Sequence, residues 1–209
     1  MNNLKNKILK LLAVSFGAAI LFSCSDYLDV VPDGVATLDN AFSNRVNSEK
    51  FLFSCYNMIP NQNDPFTYPA NVGGDEIWWD IDVSGLNNRS GARIAVNDQN
   101  ASDPFQNYWD GRRDGRNLWV GIRDCNIFLE NIEKVPDLQA YERVKWISEV
   151  KFIKAYLHFF LLQLYGPIPI VDENLSVNAD PEQVRVYRQP VDSVINYVVN
   201  LIDESMENL

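Results

Sequence analysis

At 209 residues, 46% hydrophobic and 12% aromatic, the chain is long enough to bury a core in one or two domains. Its 28 Asp and Glu outnumber 18 Lys and Arg, a formal net charge of −10. That balance excludes the basic footprint nucleic acid requires, and electrostatic adhesion to anionic lipid headgroups.

The first element is an export signal. Lys5, Lys7 and Lys10 form a positive start, and Leu11 to Phe22 is almost wholly apolar. That run is about 12 residues, against about 20 for a membrane-spanning helix. It ends in Leu21-Phe22-Ser23-Cys24, which resembles the lipobox of bacterial lipoproteins. Residues 1–23 therefore read as a lipoprotein signal peptide, with Cys24 diacylated as the first mature residue. Two or more acyl chains give stable attachment. The alternative is an ordinary cleaved signal with a cysteine near the cut. Removing residues 1–23 takes away three lysines and no acid, which leaves a net charge of −13.

Pro32-Asp33-Gly34 reads as a turn. A helix is predicted over Leu38–Ile59, with a break near Asn44–Asn47. Phe51, Cys55 and Ile59 share one face, and Pro60 ends it. Asn61 to Pro104 is rich in Gly, Asn, Asp and Pro and carries no helical period. So long an irregular segment is the place to look for binding. A second helix is predicted over Asn107–Val135, where Leu118, Ile122, Cys125, Leu129 and Ile132 form a stripe. Gly111 and Gly115 leave its start open, and Pro136 stops it.

The third helix, predicted over Leu138–Tyr165 with Asp137 as N-cap, is the longest pattern. Gly166 follows as its terminator, then Pro167 and Pro169. Val144, Ile147, Val150, Ile153 and Leu157 form one stripe; Trp146, Phe152, Tyr156, Phe159 and Phe160 widen it over much of the circumference. Such a helix must be packed on more than one side. Ile168, Ile170 and Val171 make a short extended exit. A fourth helix starts near Pro190, with Val191, Val194, Ile195, Val198, Leu201 and Ile202 at helical spacing. No strand-rich region is visible, so the fold class is all-α: antiparallel helix pairs with a long irregular loop region.

Beyond Cys24, Cys55 and Cys125 read as two buried free thiols, although export would permit a disulfide. His158 is the one histidine and reads as a structural residue on a helix surface. A single histidine furnishes neither a His-rich zinc site nor a redundant Ser-His-Asp triad. No phosphate-cradling loop, zinc pattern or nucleophile elbow occurs, and no cofactor is implied.

Glu149, Lys151, Phe152, Lys154, Ala155 and Tyr156, then Leu164, Tyr165, Gly166, Pro169 and Val171, follow one another in a characteristic register. This segment resembles the signature helix of the SusD/RagB family of nutrient-binding outer-membrane lipoproteins. Cys24-Ser-Asp-Tyr-Leu-Asp29 is similar to the family's mature N-terminus. Trp119, Ile122, Cys125, Asn126, Phe128, Leu129 and Ile132 resemble its second helix, and Val186-Tyr187 to Asp203 the helix after the signature. The resemblance implies tetratricopeptide-like helix pairs. It implies a lipid-anchored, surface-exposed place on the outer membrane and a SusC-type TonB-dependent transporter as partner. It implies a glycan, or in some members a peptide, as cargo, and no enzymatic activity. Family members are longer, so residues 24–209 read as the N-terminal helical domain of such a protein, with the C-terminal half missing.

Trp78, Trp79, Tyr108 and Trp109 are the candidate sugar-stacking residues, because a flat aromatic ring covers the apolar face of a pyranose. Asn107 and Arg112 are the nearest candidates to bond hydroxyls, with Asn88, Arg89 and Arg113 beside them. The plainer reading is that these aromatics pack the loop onto the helices. Trp119 and Trp146, on apolar stripes, are structural. Asp75, Glu76, Asp80 and Asp82 match neither a glycosidase pair nor a calcium loop, and read as a solvated acidic loop. Three functions follow: a glycan-binding module, a helical interaction scaffold without a small ligand, and a surface glycosidase. The third helix also predicts that this chain by itself exposes a sticky apolar surface.

Overall fold

Asn44 splits the first predicted helix, near the expected break. Its backbone is extended, and its side-chain oxygen accepts from the Asn47 amide at 3.0 Å, so the chain restarts as a capped helix. In the computed structural model, which describes residues 37–63, 68, 71, 90–176 and 178–209, the helices are α1 (Leu38–Ala41), α2 (Arg45–Asn57), α3 (Ser90–Ala95), α4 (Leu118–Asn131), α5 (Ala140–Tyr165) and α6 (Val191–Met206). A 3-10 turn, Ile132–Lys134, extends α4. No strand occurs among the described residues, as the all-α reading requires.

Two predicted boundaries are corrected. The second helix begins at Leu118, not Asn107. Gly111, Arg113 and Asp114 take positive φ (+83°, +51° and +64°), which breaks any helical path, and Asn117 caps α4 by accepting from the Trp119 amide at 3.1 Å. Asp137 does not cap α5, whose N-cap is Gln139 without a side-chain bond. Instead Asp137 Oδ1 accepts from the Arg45 amide at 2.7 Å, capping α2 from across the fold. Arg45 returns the tie: its guanidinium forks onto the Glu142 carboxylate and lies 5.3 Å above the Trp146 ring.

Helix α5 is the centre of the packing, with α4 and α6 both against it. Trp146, Val150, Ile153, Leu157, Phe160 and Leu161 are all buried, as a helix apolar on most sides demands. Gly121 lets α4 approach: a Cβ there would lie 2.8 Å from both Leu157 Cδ1 and Met58 Cβ. Cys55 and Cys125 are buried and free, as expected. Contact with the Cys55 thiol, then burial, pushes the Cys125 thiol well above its ordinary value.

Gly166, at φ +68°, terminates α5 at the predicted place, its amide donating to Leu162 O at 2.9 Å. A polar latch, buried at its Lys154 end, then holds the exit segment. Lys154 Nζ donates to the Asp172 carbonyl at 2.5 Å and its carboxylate at 2.9 Å, and the Tyr197 hydroxyl donates to the same carboxylate at 2.8 Å. His158 belongs to this latch, which corrects its expected place on a helix surface. The exit segment and α6 cover it completely. The Val171 amide donates to Nε2 at 3.3 Å, so the proton sits on Nδ1 and is donated to Lys154 O at 2.8 Å.

One sector of α5 stays open. Phe152, Tyr156 and Phe159 face Ile195, Val199 and Ile202 of α6 across an apolar groove of about 270 Å³. Among the described residues, no helix is long and apolar enough to cross a membrane.

Candidate functional site

The segment between α3 and α4 is held by short polar turns. Gln99 brackets Phe105, donating to its carbonyl at 3.1 Å and accepting from its amide at 2.7 Å. Asn100 Oδ1 accepts from the Ser102 and Asp103 amides. The chain then folds back on itself: Gln106 N donates to Arg113 O at 2.7 Å, and Asn107 N to Arg112 O at 3.2 Å. Within that bend the Asn107 carboxamide oxygen accepts from the amides of Trp109 (2.9 Å) and Asp110 (3.2 Å). The bend is fixed to α5 where the Tyr108 amide donates to the Tyr165 hydroxyl at 2.9 Å, and to α4 where Leu118 N donates to Tyr108 O. Burial pushes the Tyr165 phenol up, against the pull of the Tyr108 and Trp109 amides, so it stays a neutral hydroxyl.

This bend and the end of α5 enclose a pocket of about 310 Å³, lined by Ala101, Ser102, Asp103, Pro104, Asn107, Trp109, Asp110, Arg112, Tyr165 and Arg188. Trp109 is its aromatic wall. The ring is set edge-on by Trp119 (5.0 Å) and Tyr165 (5.3 Å), and the Arg188 guanidinium lies 4.9 Å over it.

Of the expected site residues, Asn107, Trp109 and Arg112 therefore meet in one pocket. Tyr108 does not join them; it is buried, edge-on to Phe160 at 5.1 Å. Arg113 turns to Asp103 and the Phe105 ring. Trp119 and Trp146 belong to the core, as expected. Trp78, Trp79, Asn88 and Arg89, the acids Asp75, Glu76, Asp80 and Asp82, and Cys24 lie outside the described residues. Tyr165 and Arg188 were not anticipated. Tyr165 had a signal, as the last residue of the α5 pattern; Arg188 sits in an aperiodic polar stretch and had none.

The hydrogen bond from Arg113 holds the Asp103 carboxyl below its ordinary value, and Asp110 is engaged by Arg112 at 3.5 Å. The Asp103 carboxyl, held down by Arg113, is a poor general acid, which glycoside cleavage needs. Among the described residues no group of His, Cys, Asp and Glu is placed to hold a metal ion.

Gly115 closes the bend. A Cβ there would overlap the backbone N, C and O of Asn107, so only glycine fits. Gly115→Ala is expected to force residues 106–114 apart, costing about 1–3 kcal/mol in the manner of an overpacked core. Urea unfolding together with near-ultraviolet dichroism of the tryptophans checks this; unchanged stability and unchanged spectrum would contradict it.

The SusD-like family profile, described as starch-binding and associating with the outer membrane, matches residues 26–209. The chain belongs to the SusD-like family. A curated family relative, SusD-like protein P25 of Formosa agariphila, is 20% identical over 206 residues, which is 93% of this chain and 36% of that protein. A SusD-like protein from Bacteroides fragilis superposes with a TM-score of 0.63 at 21% identity, over 83% of this chain and 32% of that one. A laminarin-binding SusD-like protein gives a TM-score of 0.62 at 17% identity, over 80% and 35%. At these identities the structural likeness establishes the fold, and it is the tetratricopeptide-like helical fold of the SusD-like proteins. The chain spans about a third of the length of these relatives.

Proposed function

We propose that this SusD-like chain is part of an outer-membrane lipoprotein that captures a glycan and hands it to a SusC-type TonB-dependent transporter, without cleaving it. Anchoring falls to Cys24, acylated after removal of residues 1–23. The observation that carries the binding reading is the pocket itself: a wedged aromatic wall, Trp109, beside Asn107, Arg112 and the Tyr165 hydroxyl. Sugars need that combination, a flat apolar surface with polar groups around it. Trp78 and Trp79 remain candidates for further stacking contacts. The engaged state of Asp103 and Asp110 weighs against cleavage in this pocket; a glycosidase using the acidic loop would lose turnover in Asp75→Ala or Glu76→Ala, and no turnover is expected.

The scaffold reading keeps one support, the open apolar groove between α5 and α6, which suits a protein neighbour better than a sugar. Affinity electrophoresis of the full chain through gels holding starch, laminarin and other polysaccharides separates the readings. Retardation by at least one glycan is expected, reduced at least about tenfold in affinity by Trp109→Ala, the scale of a lost ring contact. Mobility unchanged by every glycan, combined with capture of a transporter from outer membranes, would favour the scaffold.

A further inference from the structure

Within the pocket just assigned to glycan, the distribution of charge is uneven. Asp103 is engaged by Arg113, and Asp110 accepts from the Arg112 amide while lying 3.5 Å from the Arg112 guanidinium. The lining acids are thus already partnered. The lining cations keep donors to spare. Arg188 has no carboxylate within ion-pair distance among the described residues; one of its nitrogens donates to the carbonyls of Pro167 (3.2 Å) and Tyr165 (3.5 Å). Arg112 makes no side-chain hydrogen bond there beyond its loose pairing with Asp110, and its side chain is 78% exposed. Two guanidinium forks with unspent donors therefore flank Trp109, in a chain whose net charge is −10.

A guanidinium is matched in shape and charge by a carboxylate or a sulfate, each of which can accept two parallel N–H bonds. Arg188 is already held over the Trp109 ring, so little conformational freedom is lost when it takes a second partner. Resting on the glycan reading, we infer that the ligand is an anionic glycan: its sugar ring meets Trp109, and its carboxylate or sulfate ester meets Arg188 and Arg112.

The test uses matched pairs that differ only in charge: laminarin against sulfated laminarin, and oligogalacturonate against its methyl ester. Affinity electrophoresis or calorimetry of the full chain is run at low and high salt. The charged member of at least one pair is expected to bind at least about tenfold more tightly, with the advantage shrinking as salt screens it. A sulfated winner identifies sulfate as the anion, and a galacturonate winner identifies carboxylate. Arg188→Gln should weaken the charged member more than its neutral twin, with Arg188→Lys intermediate because the point charge survives and the fork does not. Equal binding within every pair, or a charge preference that Arg188→Gln and Arg112→Gln both leave intact, overturns the anionic ligand and leaves the glycan reading standing. Binding to no member of any pair, or to acidic peptides alone, overturns both.

Discussion

Asp172→Ala is expected to cost about 3 kcal/mol of stability, while Lys154→Met costs about 1 kcal/mol or less. The two residues form one ion pair, yet they sit in different solvents. The Lys154 side chain is 3% exposed and the Asp172 side chain 69%. Removing the carboxylate strands a buried ammonium with only the carbonyl of residue 172 and the Tyr197 ring, 5.9 Å away, for company. A lone buried charge is the expensive outcome. Removing the ammonium leaves a carboxylate that reaches water and keeps the Tyr197 hydroxyl at 2.8 Å, while Met refills the volume of the lysine stem. Burial pushes the Asp172 carboxyl up, but the bonds from Lys154 and Tyr197 outweigh it and hold the carboxyl below its ordinary value. Urea unfolding of the two variants at neutral pH decides the matter. Equal costs, or Lys154→Met the more damaging, would show that the asymmetry of burial does not govern this pair.

The second large effect is acid sensitivity carried by His158. Burial holds its imidazole down at about 4, against an ordinary value of 6.5. The unfolded chain therefore binds a proton that the folded chain refuses as pH falls below 6.5. The stability linked to His158 is complete above about pH 6.5 and is lost progressively as pH falls to about 4. The total is about 3 kcal/mol, from the span between those two values. Geometry agrees with the direction: a protonated Nε2 would point a donor at the Val171 amide, itself a donor. His158→Leu should be less stable at neutral pH, because Val171 N loses its acceptor, but its stability should fall less steeply between pH 6.5 and 4. Other carboxylates titrate in both proteins, so the difference between the two slopes isolates His158. Parallel pH profiles would contradict this account of the latch.

Much of the helical frame was legible because it depends on local rules. The end of α5 could be read from Gly166 and Pro167, and its multi-sided packing from the width of its apolar surface. The start of α4 could not. Tyr108 and Trp109 extend the apolar count upstream, but positive φ at Gly111, Arg113 and Asp114 turns that stretch into a bend, and only Asn117 marks the true start. Asp137 has the composition of an N-cap and performs that service, but for α2, a pairing between residues 92 positions apart. His158 fell on an apolar helix, and its burial is set by α6 and the exit segment, which no local pattern encodes. In the pocket, aromatic and amide residues close in sequence were readable as a group. Arg188 was not, because its tie to Trp109 spans the whole of α4 and α5.

The glycan reading rests on contact at Trp109. It can be observed by labelling the tryptophan indoles with nitrogen-15, assigning the Trp109 signal through Trp109→Phe, and titrating the full chain with whichever glycan retards it. Trp109 should move in proportion to bound ligand, while Trp146, buried beneath Arg45, stays in place. A bound glycan that leaves the Trp109 signal unmoved would contradict the assignment of this pocket.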